Sequence, residues 1–290
     1  MSWLVWRQHR AEGIWALILT ALVAIATAFI ANELRIANCS GPGQSYCMPN
    51  DVLGELAQSI VQFNLSQYAL VVLPALAGAF IGAPIVAREV ENGTHRLVWT
   101  QGVTRARWLA TKLLLVFTPL LAGAAAIGLA EVVLVNAQGS QANRWAVFDQ
   151  QAPMTVASTL FALALGVAVG AVMQRSIPAM AVTLVAFVVV RIGIAELARP
   201  YYIAPLLYRS TDLNRGFPGT QWWIGQAVYH DAAGRVVDNF LDPAQRAAYF
   251  VQSFQPGDRF WAFQTIESAI LCALAALLIG FAFYWTLRRV

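Results

Sequence analysis

Apolar residues along this chain are gathered into long runs that short polar breaks separate. A helix needs about 20 mainly apolar residues to cross the roughly 30 Å of hydrocarbon in a bilayer, and six runs reach that length. The breaks contain Gly, Pro, Asn and charged residues, so their backbone groups can reach water. The pattern predicts six membrane-spanning helices, at residues 14–31, 69–87, 113–135, 155–173, 177–195 and 268–286.

Composition agrees with this pattern. Of the 290 residues, 59% are hydrophobic and 12% are charged, which excludes an ordinary soluble domain of this size. We therefore expect an all-α polytopic membrane protein that forms one domain over residues 1–290.

The distribution of basic residues predicts how the helices are oriented. Arg and Lys accumulate in short cytoplasmic loops. Placing the N-terminus inside puts ten basic residues in short inner segments, so we expect a cell-membrane protein with both termini in the cytoplasm. These residues are Arg7, Arg10, Arg88, Arg96, Arg105, Arg107, Lys112, Arg175, Arg288 and Arg289.

A cleaved signal peptide is the alternative interpretation of the first run. Arg7 and Arg10 precede it, and Ala26-Thr27-Ala28 has the small residues of a cleavage site. The run is long for a signal core, and its removal would place the charge-rich second break outside the membrane. We therefore expect the first helix to be retained.

Cysteine and histidine positions predict one disulfide and no metal site. Cys39 and Cys47 flank a turn-forming segment in the first outer loop, where they can form a disulfide or stay as unpaired thiols. The three histidines are far apart in sequence and form no ligand-spaced cluster.

Residues 198–267 are long enough to form a small external α+β cap between the fifth and sixth helices. We predict strands at 222–230 and 235–240, joined by a turn at 231–234, and a helix from Asp242-Pro243 to about Ser253. The cap is rich in Trp, Tyr and Phe. They fit an interfacial belt with a small core, and the alternative is contact with an amphipathic substrate.

Two charged residues lie within the predicted spans. Glu131 and Arg191 both fall in the outer third of their helices, where a long side chain can reach the interface. They can pair between the third and fifth spans, or each can anchor its own helix at the interface.

The chain has no GxSxG elbow, no HExxH and no GxxxxGK[ST] phosphate loop. We therefore expect no enzyme activity and no cofactor in this chain. If ATP drives its function, another polypeptide must bind the ATP and Mg.

The break at residues 88–108 predicts two short helices joined by turns. Gly93 supplies a turn and Thr94 an N-cap. Glu89 and Glu91 can meet basic groups of a partner, or pair with Arg88 and Arg96. The alternative is a solvated basic loop that serves topology and lipid headgroups.

Three blocks of sequence resemble a known family. They are Trp6-Arg7-Gln8-His9-Arg10, the segment from Gly82 to Thr94 that continues to Trp99-Thr100-Gln101-Gly102 and Arg105-Ala106-Arg107-Trp108, and Arg259-Phe260-Trp261-Ala262-Phe263-Gln264. In this order they resemble the membrane subunits of ABC-2 type ABC transporters, also called type V exporters, and among them the actinobacterial permeases.

The resemblance implies a set of partners and contacts. Two such permeases, here a homodimer, would pair in the bilayer above two cytoplasmic ATPase subunits, with no nucleic acid involved. Residues 1–12 would form an amphipathic helix on the inner surface, and residues 88–108 the main coupling loop. The implied ATPase-coupling residues are Arg88, Glu89, Glu91, Gly93, Thr94, Arg96, Arg105, Arg107, Trp108 and Arg175.

The implied function is ATP-driven export of a substrate by alternating access. An antibiotic immunity or sensing complex of the same ABC type is the first alternative. An ATP-independent secondary transporter is a weaker one, because few ionisable groups lie near mid-membrane.

Overall fold

The computed structural model describes residues 72–93, 104–137, 143–212, 221–237 and 247–289, together with positions 21, 25, 26, 28 and 29. Five helices in these ranges are long and apolar enough to cross a membrane: Val72–Glu91, Arg105–Asn136, Ala152–Met173, Ser176–Tyr201 and Gly257–Arg289. They correspond to the second to sixth predicted spans. Only five positions of the first span are described. The predicted helix at 1–12, the possible disulfide Cys39–Cys47, Thr94 and Arg96 lie outside the described residues.

Each span contains a regular α-helix, and the Val72–Glu91 span also has α-helical residues at 72–76. The regular helices are α1 (Pro84–Glu91), α2 (Arg105–Ala137), α3 (Ala152–Met173), α4 (Ser176–Ile192) and α5 (Phe260–Arg289). π-helices occur at Ala77–Gly82, before α1, and at Gly193–Ala198, after α4. Short 3₁₀ helices lie at Phe148–Gln150, Arg199–Tyr201 and Gly257–Arg259.

Two helices begin earlier than their apolar runs predict. Thr104 caps α2, since its Oγ1 accepts a hydrogen bond from the Arg107 N–H at 3.3 Å. The helix therefore includes Arg105, Arg107 and Trp108, which the sequence placed in the break before the third span. Likewise α5 begins at Phe260, so residues 260–267 belong to the last helix and not to the cap.

Helix α3 forms the centre of the described bundle. It packs against α1, α2, α4 and α5, and its Leu163, Val167 and Ala171 are fully buried. The backbones of α3 and the Ala77–Gly82 helix approach so closely that a Cβ on Gly166 would overlap the Gly78 carbonyl oxygen. Such contact needs small side chains, as is usual between membrane helices.

The segment between α4 and α5 carries a three-stranded antiparallel sheet in the order β1-β3-β2. The strands are β1 (Leu206–Ser210), β2 (Trp222–His230) and β3 (Tyr249–Gln255). Leu206 pairs with Phe254, and His230 pairs with Tyr249. A register shift between Ile224 and Val228 contains Gly225, whose φ is +67°.

The predicted cap is correct in part. Strand β2 and the turn after it are present, with the Gly234 N–H donating to the Asp231 carbonyl at 3.0 Å. The predicted helix is wrong for residues 249–253, which form β3. Of the predicted return strand, only residues 235–237 are described, and they form one bridge, His230 to Val236. Phe250 and Phe254 of β3 pack against aromatic residues of β1 and β2, and this pairing outweighs the local helix signal.

An aromatic core joins the sheet to the bundle. Trp145 stacks on Phe148 at 5.9 Å and on Trp222 at 5.3 Å, and its edge meets Phe260 and Phe263, both at 5.3 Å. These residues come from the α2–α3 connection, the sheet and α5. We call this side of the bundle the cap end, and the side with Glu91, Arg105, Arg175 and Arg289 the basic end.

Gly166→Ala should destabilise the bundle by about 1–3 kcal/mol, because the added methyl group forces two helix backbones apart. Gly280→Ala on α5 is the matched control: its Cβ meets nothing within 4 Å, and alanine is the better helix former. Unfolding in mild detergent would measure both. Equal stability of the two variants would contradict the close packing of α3.

Candidate functional site

At the basic end, Glu89 connects α1 to α2. The buried Lys112 Nζ forms an ion pair with Glu89 Oε1 and donates to the Ile85 carbonyl at 3.4 Å. The ammonium also lies 4.9 Å from the centre of the Trp108 ring. Glu89 is therefore bound within its own chain.

Glu91 connects α1 to α4. Its Oε2 accepts hydrogen bonds from the Ser176 N–H at 3.0 Å and from the Ser176 hydroxyl at 2.8 Å. A carboxylate at the first residue of a helix satisfies an open backbone donor and faces the positive end of the helix dipole. The turn before Ser176 is tight, with Gln174 in the left-handed region at φ 55°. Glu91 thus caps a helix other than its own.

The predicted coupling residues divide into two groups. Glu89, Glu91 and Trp108 make contacts within the chain, and Arg105 donates to the Leu287 carbonyl at 3.3 Å. Arg88, Arg107 and Arg175 are exposed at the same end. Gly93 forms the predicted turn, with φ 69°, and a Cβ added there would meet nothing within 4 Å.

Toward the cap end, four charged side chains form an ionic cluster: Asp149, Arg191, Arg199 and Glu267. Arg199 binds Glu267 with two hydrogen bonds, from Nε and Nη2, both at 2.7 Å, and binds Asp149 through Nη2 at 2.6 Å. Arg191 donates to Glu267 and to Asp149, each at 2.7 Å. Each arginine therefore contacts both acids, and the cluster is neutral.

The cluster is buried within the helical region. The side chain of Glu267 is 0% exposed and that of Arg191 is 7% exposed. At 1.5 Å per residue, Glu267 lies about 15 Å along its span from Gly257. A lone charge there would be costly, and full pairing of all four groups removes most of that cost.

The π-helix explains how two arginines of one span reach the same acids. Residues eight apart, such as Arg191 and Arg199, are offset by about 80° around an α-helix, and one extra residue in a wide turn reduces this to about 20°. The Arg199 N–H donates to Ile194, five residues earlier, as a π-turn requires. The wide turn therefore aligns both guanidinium groups.

The sequence left open a pairing of Arg191 with Glu131, and the structure shows Arg191 bound to Asp149 and Glu267. Glu131 is buried on α2. Sequence reasoning missed Asp149, Arg199 and Glu267 because they were assigned to loops. The available signal was Glu267, an acid directly before the last apolar run, and Arg199, an arginine shortly after the fifth run.

The cluster controls ionisation at its edge. Burial would raise the pKa of Asp149, but the charges of Arg199 and Arg191 and their hydrogen bonds outweigh it and lower that pKa. Burial, with the Glu267 charge, raises the pKa of Tyr202 to about 12, and its hydroxyl lies 3.5 Å from Glu267. Both groups keep their ordinary charge at neutral pH.

A family model described as ABC-2 membrane transporter related matches residues 11–199. The chain belongs to this family. Neither the curated proteins nor the solved structures give a match. Membership makes the chain a multi-pass permease of an ABC transporter, and it implies an ATPase partner.

The family match covers part of both sites of this permease. It contains the basic-end residues of α1, α2 and α4, and it ends at Arg199 of the ionic cluster. Glu267 and the sheet lie beyond it. Within the described ranges, no group of three or more His, Cys, Asp or Glu side chains is arranged to hold a metal ion.

Glu267→Gln should destabilise the permease by about 3–5 kcal/mol, because it leaves two buried arginines with one acid. Glu196→Gln is the control, since Glu196 lies near the cluster but is exposed and outside it. Thermal unfolding in detergent at neutral pH would compare them. The cluster would have no structural role if Glu267→Gln unfolded at the same temperature as Glu196→Gln.

Proposed function

We propose that this permease couples ATP hydrolysis by a separate ATPase subunit to export of a substrate by alternating access. The observation that carries the proposal is the basic end of an ABC-2 permease, where arginines are exposed beside acids already bound within the chain. Two permease copies and two ATPase copies would form the transporter, in the cell membrane. ATP and Mg would bind to the ATPase, and this chain would carry out no chemistry.

Orientation follows from charge. Arg88, Arg107 and Arg175 lie at the same end as Arg288 and Arg289. Basic residues favour the cytoplasmic side, so this end would face the ATPase, both termini would be cytoplasmic, and the sheet would be external.

Among the coupling residues that the resemblance implied, the exposed arginines would make the contact and the acids would not. Glu89 and Glu91 are bound to Lys112 and Ser176, so their role would be to join helices. The exposed Arg88, Arg107 and Arg175 are better placed for acidic groups of a partner. A rim of charge of this kind sets the association rate and orientation of a complex.

The same contacts would transmit motion. Glu89 joins α1 to α2, and Glu91 joins α1 to α4. A push on any of these helix ends would therefore move the three together. At the cap end, the ionic cluster joins α4, α5 and the α2–α3 connection. Alternating access would then change the tilt of the joined helices around α3 at each end of the bundle. ATP-driven closure of the ATPases would favour one of the two tilts.

Arg88→Ser combined with Arg175→Ser should reduce copurification of the ATPase encoded beside this permease by about tenfold or more, because two exposed positive charges are lost. Purification in mild detergent, followed by measurement of ATPase stoichiometry and ATP hydrolysis, would test this. Copurification of the ATPase with the parent permease should also decrease as the salt concentration rises, because salt screens these charges.

Arg144→Ser is the matched control, since Arg144 is exposed at the cap end. It should keep the full ATPase stoichiometry. Loss of the ATPase only in the Arg144 variant would reverse the proposed orientation. Absence of any copurifying ATPase from the parent protein would overturn the proposed function.

A further inference from the structure

A cavity of about 500 Å³ opens at the cap end, between the sheet, the α2–α3 connection and the end of the fourth described span. Its walls include Trp145, Tyr201, Trp222, Trp223, Glu196 and Arg199. Small-molecule sites commonly have this size and this mixture of aromatic walls with a few charged groups. The coupling proposal does not use this cavity.

The charged groups at the cavity favour a cation. Arg199 uses Nε, Nη1 and Nη2 to bind Glu267 and Asp149, so it has little capacity left for an anion. Asp149 is bound by Arg191 and Arg199 in turn. Because these four charges cancel, Glu196 determines the net charge of the lining.

Glu196 is exposed and forms no hydrogen bond or ion pair with a residue that the structure describes. Tyr201 lines the same cavity, is 74% exposed and stacks on no described aromatic residue. A carboxylate beside an open aromatic face is the arrangement that recognises organic ammonium groups.

Trp145 forms a rigid part of the same wall. It is 7% exposed, and its ring stacks on Phe148 at 5.9 Å and on Trp222 at 5.3 Å. The wall therefore offers a ligand a fixed aromatic surface.

We propose that the cap-end cavity binds an organic cation with an apolar body, a protonated or quaternary amine that pairs with Glu196 and lies against Tyr201. The site requires neither ATP nor the ATPase, so it is independent of the proposed coupling.

Calorimetric titration of the purified permease in non-ionic detergent with benzyltrimethylammonium tests the site. Glu196→Gln should weaken binding by about fivefold or more, because the counter-ion is lost. Asp258→Asn is the matched control, since Asp258 is exposed at the same end and does not line the cavity. It should bind as the parent does, and benzenesulfonate should not bind.

A pair of variants at Tyr201 separates cation–π attraction from simple apolar contact. Tyr201→Phe keeps the aromatic face and should retain binding, while Tyr201→Leu should weaken it by about threefold or more. Both substitutions are on an exposed side chain, and thermal unfolding would verify that each variant is folded.

Competition with dihexanoylphosphatidylcholine identifies the source of the cation. If the lipid displaces benzyltrimethylammonium, the cavity binds a lipid choline group. If it does not, the ligand is a soluble amine. Both outcomes agree with a cation site. The proposal is overturned if the parent does not bind benzyltrimethylammonium, if Glu196→Gln binds it equally well, or if Asp258→Asn loses as much affinity.

Discussion

The close approach of α3 to the Ala77–Gly82 helix is the constraint on which the rest of the described bundle depends. Lipid gives little hydrophobic drive for helix association, so contact area must come from backbones that meet directly. Gly78, Gly82 and Gly166 allow this because none has a side chain to separate the helices. With α3 fixed in this way, α1, α2, α4 and α5 can pack around it.

Polar contacts then tie the helices at their two ends, in different ways. At the basic end, Glu89 binds the buried Lys112, and Glu91 binds Ser176 at the surface. Toward the cap end, the ionic cluster has two acids and two arginines that are largely buried. Water can replace the Glu91 contact when it separates. The ionic cluster is costly to separate, because each charge would lose its partner away from water.

The cap shows why some local predictions failed. Strand β2 was predictable because Trp222–His230 is rich in aromatic and β-branched residues and a turn follows it. Residues 249–253 were expected to continue a helix that begins with Asp242-Pro243, but they form β3. Pairing with β1 and β2 decided this, and neither partner is close enough in sequence to appear in a local pattern.

The sequence alone determined the membrane class, five of the spans within a few turns, the turn at Gly93 and the family to which the permease belongs. Those features depend on run length, local turn chemistry and motif order, which are properties of neighbouring residues. Only the tertiary structure decided that Glu89 and Glu91 join helices, and that Arg191 binds Asp149 and Glu267 instead of Glu131. The physical reason is that a charge in an apolar span must find a partner, but the π-turn and helix packing determine which partner comes within reach.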